Sequence, residues 1–247
     1  MTGANAAVLL QAALNGARPS TGHARVPRTP DELARAGRAA VAEGARVLHL
    51  HPYDEAGSET LDAAACAAAL RAVRAACPGV AVSLSTSADI EPDPRRRREL
   101  IASWTLLPEL VSANQGEPGI VELCDDLLAR GVGIEAGLLS VADAQAFVRS
   151  GLADRCARVL VEPLHHDPLK AVMQAAVMEL TVVGAGIALE QVHHGDEAAS
   201  WAVNERALRR GHGIRTGLED TTVLPDGRPA TGNAELVRAA AAMMAAI

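Results

Sequence analysis

The sequence predicts an α/β fold, a single (β/α)8 barrel in which eight parallel strands alternate with helices. Three observations lead there. Short apolar segments alternate with helical patterns about eight times along the 247 residues, and such repeats imply parallel strands joined by helical crossovers. The length suits a TIM barrel folded as one unit. No stretch reads as an interdomain linker, because the Pro and Gly clusters fall where strand-to-helix loops belong, so residues 1–247 are expected to form one domain. A competing open, doubly wound sheet needs a glycine-rich turn directly after a strand. GAGIA at 184–188 precedes a predicted strand instead, and matches the dinucleotide fingerprint poorly.

In a barrel of this kind the active site gathers at the C-terminal ends of the strands, so the residues there are the candidates. The first strand is AVLLQAAL at 7–14, and the NGARPS loop after it brings Asn15 and Arg18. The first helix is clearly punctuated: Thr29 is its N-cap, Pro30 its first residue, Glu32 completes a capping box and Gly44 is the stop. The second strand, RVLHLH at 46–51, delivers His49, His51 and then Asp54, while the third, VAVSLS at 80–85, ends in Ser85 and Thr86. Arg95 to Arg98 follow Pro94 and read as the solvated first turn of a helix, with phosphate contacts open only if they face the barrel mouth. Strand four, LVSAN at 110–114, leads to Ser112, Asn114 and Glu117, and strand five, VGIEAG at 132–137, carries Glu135. Strand six, RVLVEPL at 158–164, brings Glu162, His165 and His166; strand seven, GIALEQV at 186–192, leads to His193 and His194. The eighth, GIRTG at 213–217, brings Arg215 and then Glu219 and Asp220.

Composition excludes several partners. Aromatic residues make up 2% of the chain, with Tyr53 and Phe147 the sole members of their types, so the core is built from Ala, Val, Leu and Ile and base-stacking surfaces are disfavoured. A formal charge of −7 repels phosphate backbones, which argues against nucleic acid while leaving room for a local basic site. Cys66, Cys77, Cys124 and Cys156 show no CxxC spacing and suit reduced, packed thiols, hence a cytoplasmic location. The apolar run AAVLLQAAL near the N-terminus has no basic residue before it and is too short for a signal or a membrane span.

The chemistry starts from His49 and His51 in LHLHPYD. In a strand, positions i and i+2 face the same side, so both imidazoles can converge on one metal ion. Glu135 lies inside an apolar strand, where an unpaired carboxylate is costly and calls for a cationic or hydrogen-bonding partner. Glu219 and Asp220 are adjacent acids at the last strand's end. Of each double histidine, 165/166 and 193/194, only one member can reach a shared site, because neighbouring side chains diverge. Lys170 sits in a helix after Pro168, so a Schiff-base mechanism lacks its strand-borne amine.

Together LHLHPYD, NGARPS, SANQGEPG, GIEAGL and GIRTGLEDTTVLPDGRPATGN resemble the β-keto acid cleavage enzymes, in order, from about residue 8 to the C-terminal helix. The resemblance implies a divalent metal, usually zinc, held by His49, His51 and Glu219. It implies a reversed Claisen reaction in which a β-keto acid and acetyl-CoA yield acetoacetate and a new CoA thioester. Asp220 would be the base and Arg215 would position it or relay its proton, with Ser85, Ser112 and Glu135 lining the substrate pocket beside Asn15 and Arg18. A homo-oligomer is also implied. Departures exist. Tyr53 stands where many members carry Arg after the second histidine, and the chain lacks an insertion between strands four and five. Where some members have an acid, this chain has Arg18, which is expected to favour a keto acid with a neutral or anionic tail over an aminated one. Two other readings are a metal-dependent amidohydrolase, using HxH with later histidines and Asp220, and a metal-binding barrel that has lost catalysis.

Overall fold

In the computed structural model, residues 8–19 and 21–247 are described; Ala7, at the start of the first predicted strand and in the short apolar run, and Ser20 of NGARPS lie outside the described residues. The strands are β1 (Leu10–Ala13), β2 (Val47–Leu50), β3 (Ala81–Ser85), β4 (Leu110–Asn114), β5 (Gly133–Leu138), β6 (Arg158–Val161), β7 (Gln191–His193) and β8 (Gly213–Thr216). Eight helices alternate with them: α1 (Pro30–Ala42), α2 (Ala63–Ala76), α3 (Pro94–Ala102), α4 (Ile120–Ala129), α5 (Val141–Ser150), α6 (Pro168–Gly184), α7 (Ser200–Arg209) and α8 (Asn233–Ala246). The strands pair in chain order as a closed parallel barrel, and β8 returns to β1 with Leu10 opposite Ile214 and Gln11 opposite Arg215.

The helices form as their sequences direct. In α1 the capping box is complete, with Thr29 accepting from the Glu32 N–H and Glu32 reaching back to the Thr29 N–H. Helix α2 turns Cys66, Leu70, Val73 and the small residues between them onto the barrel. The few large side chains fill gaps between layers: Trp104 is buried and donates its indole N–H to the Leu61 carbonyl at 2.8 Å. All four cysteines are buried and free, and burial pushes the Cys66 and Cys124 thiols up to about 12. Among the described residues no helix is long and apolar enough to cross a membrane.

Most strands are trimmed or shifted by a residue, β1 shortens to Leu10–Ala13 within the expected 7–14, and two others differ for identifiable reasons. Strand β7 begins at Gln191: the ladder to β6 first registers Val159 with Gln191 and the Val159 N–H donates to the Glu190 carbonyl at 2.9 Å, so 186–189 precede the pairing. Strand β6 ends at Val161, ahead of Pro163, which has no N–H to offer a ladder. The arginine run divides as well. Arg95, Arg96 and Arg98 are exposed, but Arg97 is buried, donates to the Pro118 carbonyl at 2.9 Å and pairs with Glu117 at 3.1 Å. It therefore braces the loop after β4.

The barrel's interior is polar toward its open end. Strands β1 and β5 stand opposite one another in an eight-strand ring, yet Gln11 Nε2 donates to both Glu135 oxygens, at 3.1 and 3.2 Å, so that contact crosses the inside. Ser83 of β3 donates to the same carboxylate, and Arg158 stands 3.7 Å from it. Burial pushes the Glu135 carboxyl up against these partners.

Candidate active site

His49 in β2 and His51 just after it aim their Nε2 atoms at one another, 3.2 Å apart. Glu219 Oε1, from the loop after β8, lies 3.7 Å from each. Donor atoms sharing one tetrahedral zinc ion stand about 3.3 Å apart, which is the size of this triangle. The far ring nitrogens are held: His49 Nδ1 contacts Ser83 Oγ at 3.3 Å and His51 Nδ1 contacts the Glu59 carboxylate. Such second partners fix the ring orientation of metal-ligating histidines. Glu219 Oε2 is buried without a partner. The donor set, the orphaned oxygen and the braced rings all fit a divalent cation.

Local sequence makes room for this arrangement. Gly16 has a φ of +55°, and a Cβ there would stand 2.4 Å from Glu219 Cγ, so only glycine lets the carboxylate lie against the turn after β1. At Gly217 a Cβ would fall 1.8 Å from the Ala13 carbonyl oxygen, so glycine allows β8 to end tight against β1. Asn15 clamps the neighbouring backbone: its side chain donates to the Pro27 and His51 carbonyls at 3.0 and 2.8 Å and accepts from the His51 N–H at 2.9 Å.

Beside the triangle lies a second buried cluster. Arg215 donates to Asp220 Oδ1 at 2.7 Å and to Glu219 Oε1 at 3.0 Å, and stands 3.7 Å from Glu162. His194 lies between Glu162, at 3.3 Å, and Asp220, at 3.4 Å. Asp220 Oδ2 is buried with no partner.

The charges are strongly coupled. Burial drives His49 down to about 3, leaving it the neutral imidazole a metal requires. Burial also disfavours charge on His51, but Glu219 and Glu59 outweigh it and raise the imidazole to about 9. Glu219 is pushed up by burial and held well below the usual carboxylate range by Arg215 and the two imidazoles. Burial and Arg215 disfavour the His194 cation, while Glu162 and Asp220 carry it to about 9.

The structure brings together His49, His51, Glu219, Asp220 and Arg215. Ser85 and Ser112 sit opposite one another on β3 and β4, one register step from Glu135. Asn15 and Glu135, expected to line a substrate pocket, stand directly behind the two histidines. Each is fully buried and saturated by the chain's own groups, Asn15 bracing His51 and Glu135 anchoring Ser83 beneath His49. Arg18 reaches the mouth, but it donates to the Leu218 and Glu219 carbonyls and pairs with Glu197 at 2.7 Å. Glu197 is the non-glycine residue with positive φ among the described residues, at +47°, held there by its N–H to the Asp220 carbonyl. Tyr53 donates to the Gly16 carbonyl at 2.6 Å, and the Arg28 guanidinium lies over its ring at 4.3 Å, so a permanent cation does stand beside position 53.

Of the paired histidines, His194 enters the site while His193 turns outward to stack on His212. His165 and His166 are exposed. Asp54 caps the Ser58 N–H in a turn. Three contributors escaped the sequence reading. Ser83 was detectable, two residues before Ser85 on the same strand face; Glu59 was not, because a bridge between Tyr53 and Glu59 in the loop after β2 brings it back. Gln11 looked like an ordinary strand residue.

The profile of a family described as beta-keto acid cleavage enzyme matches residues 7–160 and 138–247 of the sequence. The chain belongs to that family. The beta-keto acid cleavage enzymes it resembles include the 3-keto-5-aminohexanoate cleavage enzyme of Fusobacterium nucleatum, 26% identical across 93% of this chain and 88% of the relative. The enzyme of the same name from Acetoanaerobium sticklandii is 23% identical over 93% of this chain and 89% of its own length. Among solved structures, ObcA in a ternary complex with a C4-CoA adduct and oxalate superposes with a TM-score of 0.71 at 19% identity, covering 87% of this chain. The chain spans 62% of ObcA, and the likeness is one of fold. As a member of this family the protein is a carbon–carbon bond-cleaving enzyme acting on β-keto acids.

Proposed function

We propose that this family member transfers the acyl group of a β-keto acid to CoA: RCOCH2COO⁻ and acetyl-CoA give acetoacetate and RCO-CoA. The observation that carries the reading is the free Oδ2 of Asp220, a buried carboxylate oxygen without a partner beside three converging metal donors. His49, His51 and Glu219 would hold a divalent cation, with zinc suited to two imidazoles and a carboxylate. When bound, that ion supplies Lewis-acid polarisation of the keto carbonyl.

The chain's own residues then do the following. Asp220 takes the proton from the carbon between the carbonyl and the carboxylate, holding it at Oδ2, while Arg215 fixes Oδ1 and keeps the base oriented. The carbanion attacks the acetyl thioester, and the original acyl group leaves to CoA, so the thioester is conserved across the reaction. Ser85 and Ser112 offer hydroxyls for the substrate carboxylate or developing oxyanions. Asn15, Ser83, Glu59 and Glu135 act through the histidines they brace. The amidohydrolase reading loses support because the later histidines do not join the HxH pair; His194 is spent on Glu162 and Asp220.

The same reading makes the whole chain one catalytic domain, cytoplasmic, homo-oligomeric, and without nucleic acid or membrane partners. Its test is metal content and acetyl-CoA-dependent acetoacetate formation over a panel of β-keto acids, in wild type and Glu219→Ala. Turnover that needs both metal and acetyl-CoA, and is lost with the metal in the variant, supports it. Full activity in metal-free Glu219→Ala refutes the site.

A further inference from the structure

Helix α6 is apolar on two faces. Ala171, Ala175, Met178 and Val182 pack against the barrel. On the other side Leu169, Met173, Val177, Leu180 and Val183 are between 46 and 70% exposed. Apart from these five, the exposed large apolar side chains among the described residues are Leu164, in the loop entering α6, and the terminal Ile247. A helix that is apolar all round belongs in an interior, not on a surface.

The face carries a single exposed charge, Lys170 in its first turn. Helix α6 carries Lys170 in its first turn and Glu179, and Glu179 is buried, held inward by Arg206, Arg210 and His212. Beyond Lys170, at the N-terminal end of the stripe, no charged side chain of α6 is exposed. Three candidate occupants differ in chemistry. A charged partner would find only Lys170 to pair with, and a membrane-surface helix would carry several basic residues along its flanks. A second copy of the same chain fits best, because in a two-fold antiparallel contact the apolar stripe meets itself, central residues opposite their own kind and Leu169 opposite the Val183 end, while Lys170 stays at the edge away from its own copy. Two chains of net charge −7 can approach closely only where neither presents that charge.

We infer that the outer face of α6 is a two-fold interface between copies of this chain, the α6 helices packing antiparallel through Leu169, Met173, Val177, Leu180 and Val183. This placement rests on the homo-oligomeric part of the proposed function and not on its chemistry. Successive exposed positions from Leu169 to Val183 are spaced 4, 4, 3 and 3 residues, which averages the coiled-coil repeat, so the helices cross at about 20°. A 17-residue helix is about 25 Å long, enough for all five side chains to interdigitate. Five large apolar side chains exposed to this extent present on the order of several hundred Å², comparable to the largest patch of an ordinary monomer. Two such faces with their flanks approach the ~1,200 Å² at which specific interfaces begin.

The test is the solution mass of the full chain by light scattering, in wild type and in the double variant Met173→Glu/Leu180→Glu. Wild type should be an even multiple of 25.5 kDa, and the double variant should fall to half the wild-type mass with an unchanged far-ultraviolet CD spectrum. Oxidative cross-linking of Val177→Cys removes any dependence on the double variant's folding. Position 177 lies near the mid-point of the stripe, and the four native thiols are buried, so a covalent dimer on non-reducing gels reports α6 against α6. A monomeric wild type overturns both the oligomer and this interface. An oligomer whose mass survives the double variant, or that gives no Val177→Cys dimer, overturns the interface alone.

Discussion

Arg215 and Asp220 are joined by a buried 2.7 Å hydrogen bond that occupies only one of the two carboxylate oxygens. The fixed guanidinium aims the other oxygen without neutralising it, as a positioned base requires. Replacing Asp220 with Asn leaves Arg215 with Glu219 and Glu162, so no charge is stranded and the fold and metal donors persist. Asp220→Asn should therefore retain wild-type metal content while losing about 10²–10⁴-fold in kcat, the usual contribution of a general base. Near-normal turnover in this variant would remove Asp220 from the mechanism.

The groups behind the histidines are expected to set metal affinity. Ser83→Ala removes the contact to His49 Nδ1, and Glu59→Ala removes the carboxylate on His51 Nδ1. Each should weaken metal binding by about 10–100-fold, measured by competition with a chromogenic chelator. Affinity unchanged in both variants would show that the rings are oriented by packing alone.

Acid stability should depend on Glu179, which lies outside the site. Burial pushes its carboxyl up, but hydrogen bonds from Arg210, Arg206 and His212 outweigh that and carry it from 4.5 down to about 2. A depressed folded-state value means stabilisation that is complete above the unfolded value and is lost as pH falls from about 4.5 toward 2. The Tm difference between wild type and Glu179→Gln should hold constant from neutral pH to about 5 and shrink below it. A difference that widens in acid contradicts the pairing.

Substrate choice should follow Arg18. An ammonium on the far end of a keto acid would approach its guanidinium, so kcat/KM should favour 3-oxoglutarate or a simple 3-oxoalkanoate over 5-amino-3-oxohexanoate. Arg18→Gln should narrow that gap. A clear preference of wild type for the amine defeats the argument, and Glu197, paired with Arg18 at 2.7 Å, would then be the residue to examine.

Local patterning determined the barrel. Periodicity, capping residues such as Thr29 and Glu32, and strand-end residues depend on neighbours within a few positions, so eight alternating units and the His49/His51 face were legible without coordinates. The pairing of Glu219 with those histidines was legible only through resemblance, since about 170 residues separate them. What tertiary structure alone decided is which polar residues face the open site and which support it. Glu135 and Asn15 carry the right chemistry for substrate contact, yet closure of the ring sets Glu135 against Gln11 from the opposite strand and folds Asn15 onto the His51 backbone. Similarly, His193 and His194 are indistinguishable in sequence, and the pleat of β7 sends one to the helices and the other to Asp220. Burial settles these assignments physically: a polar group that loses water must take whatever partner the closed barrel brings within reach, and that partner is fixed by long-range pairing.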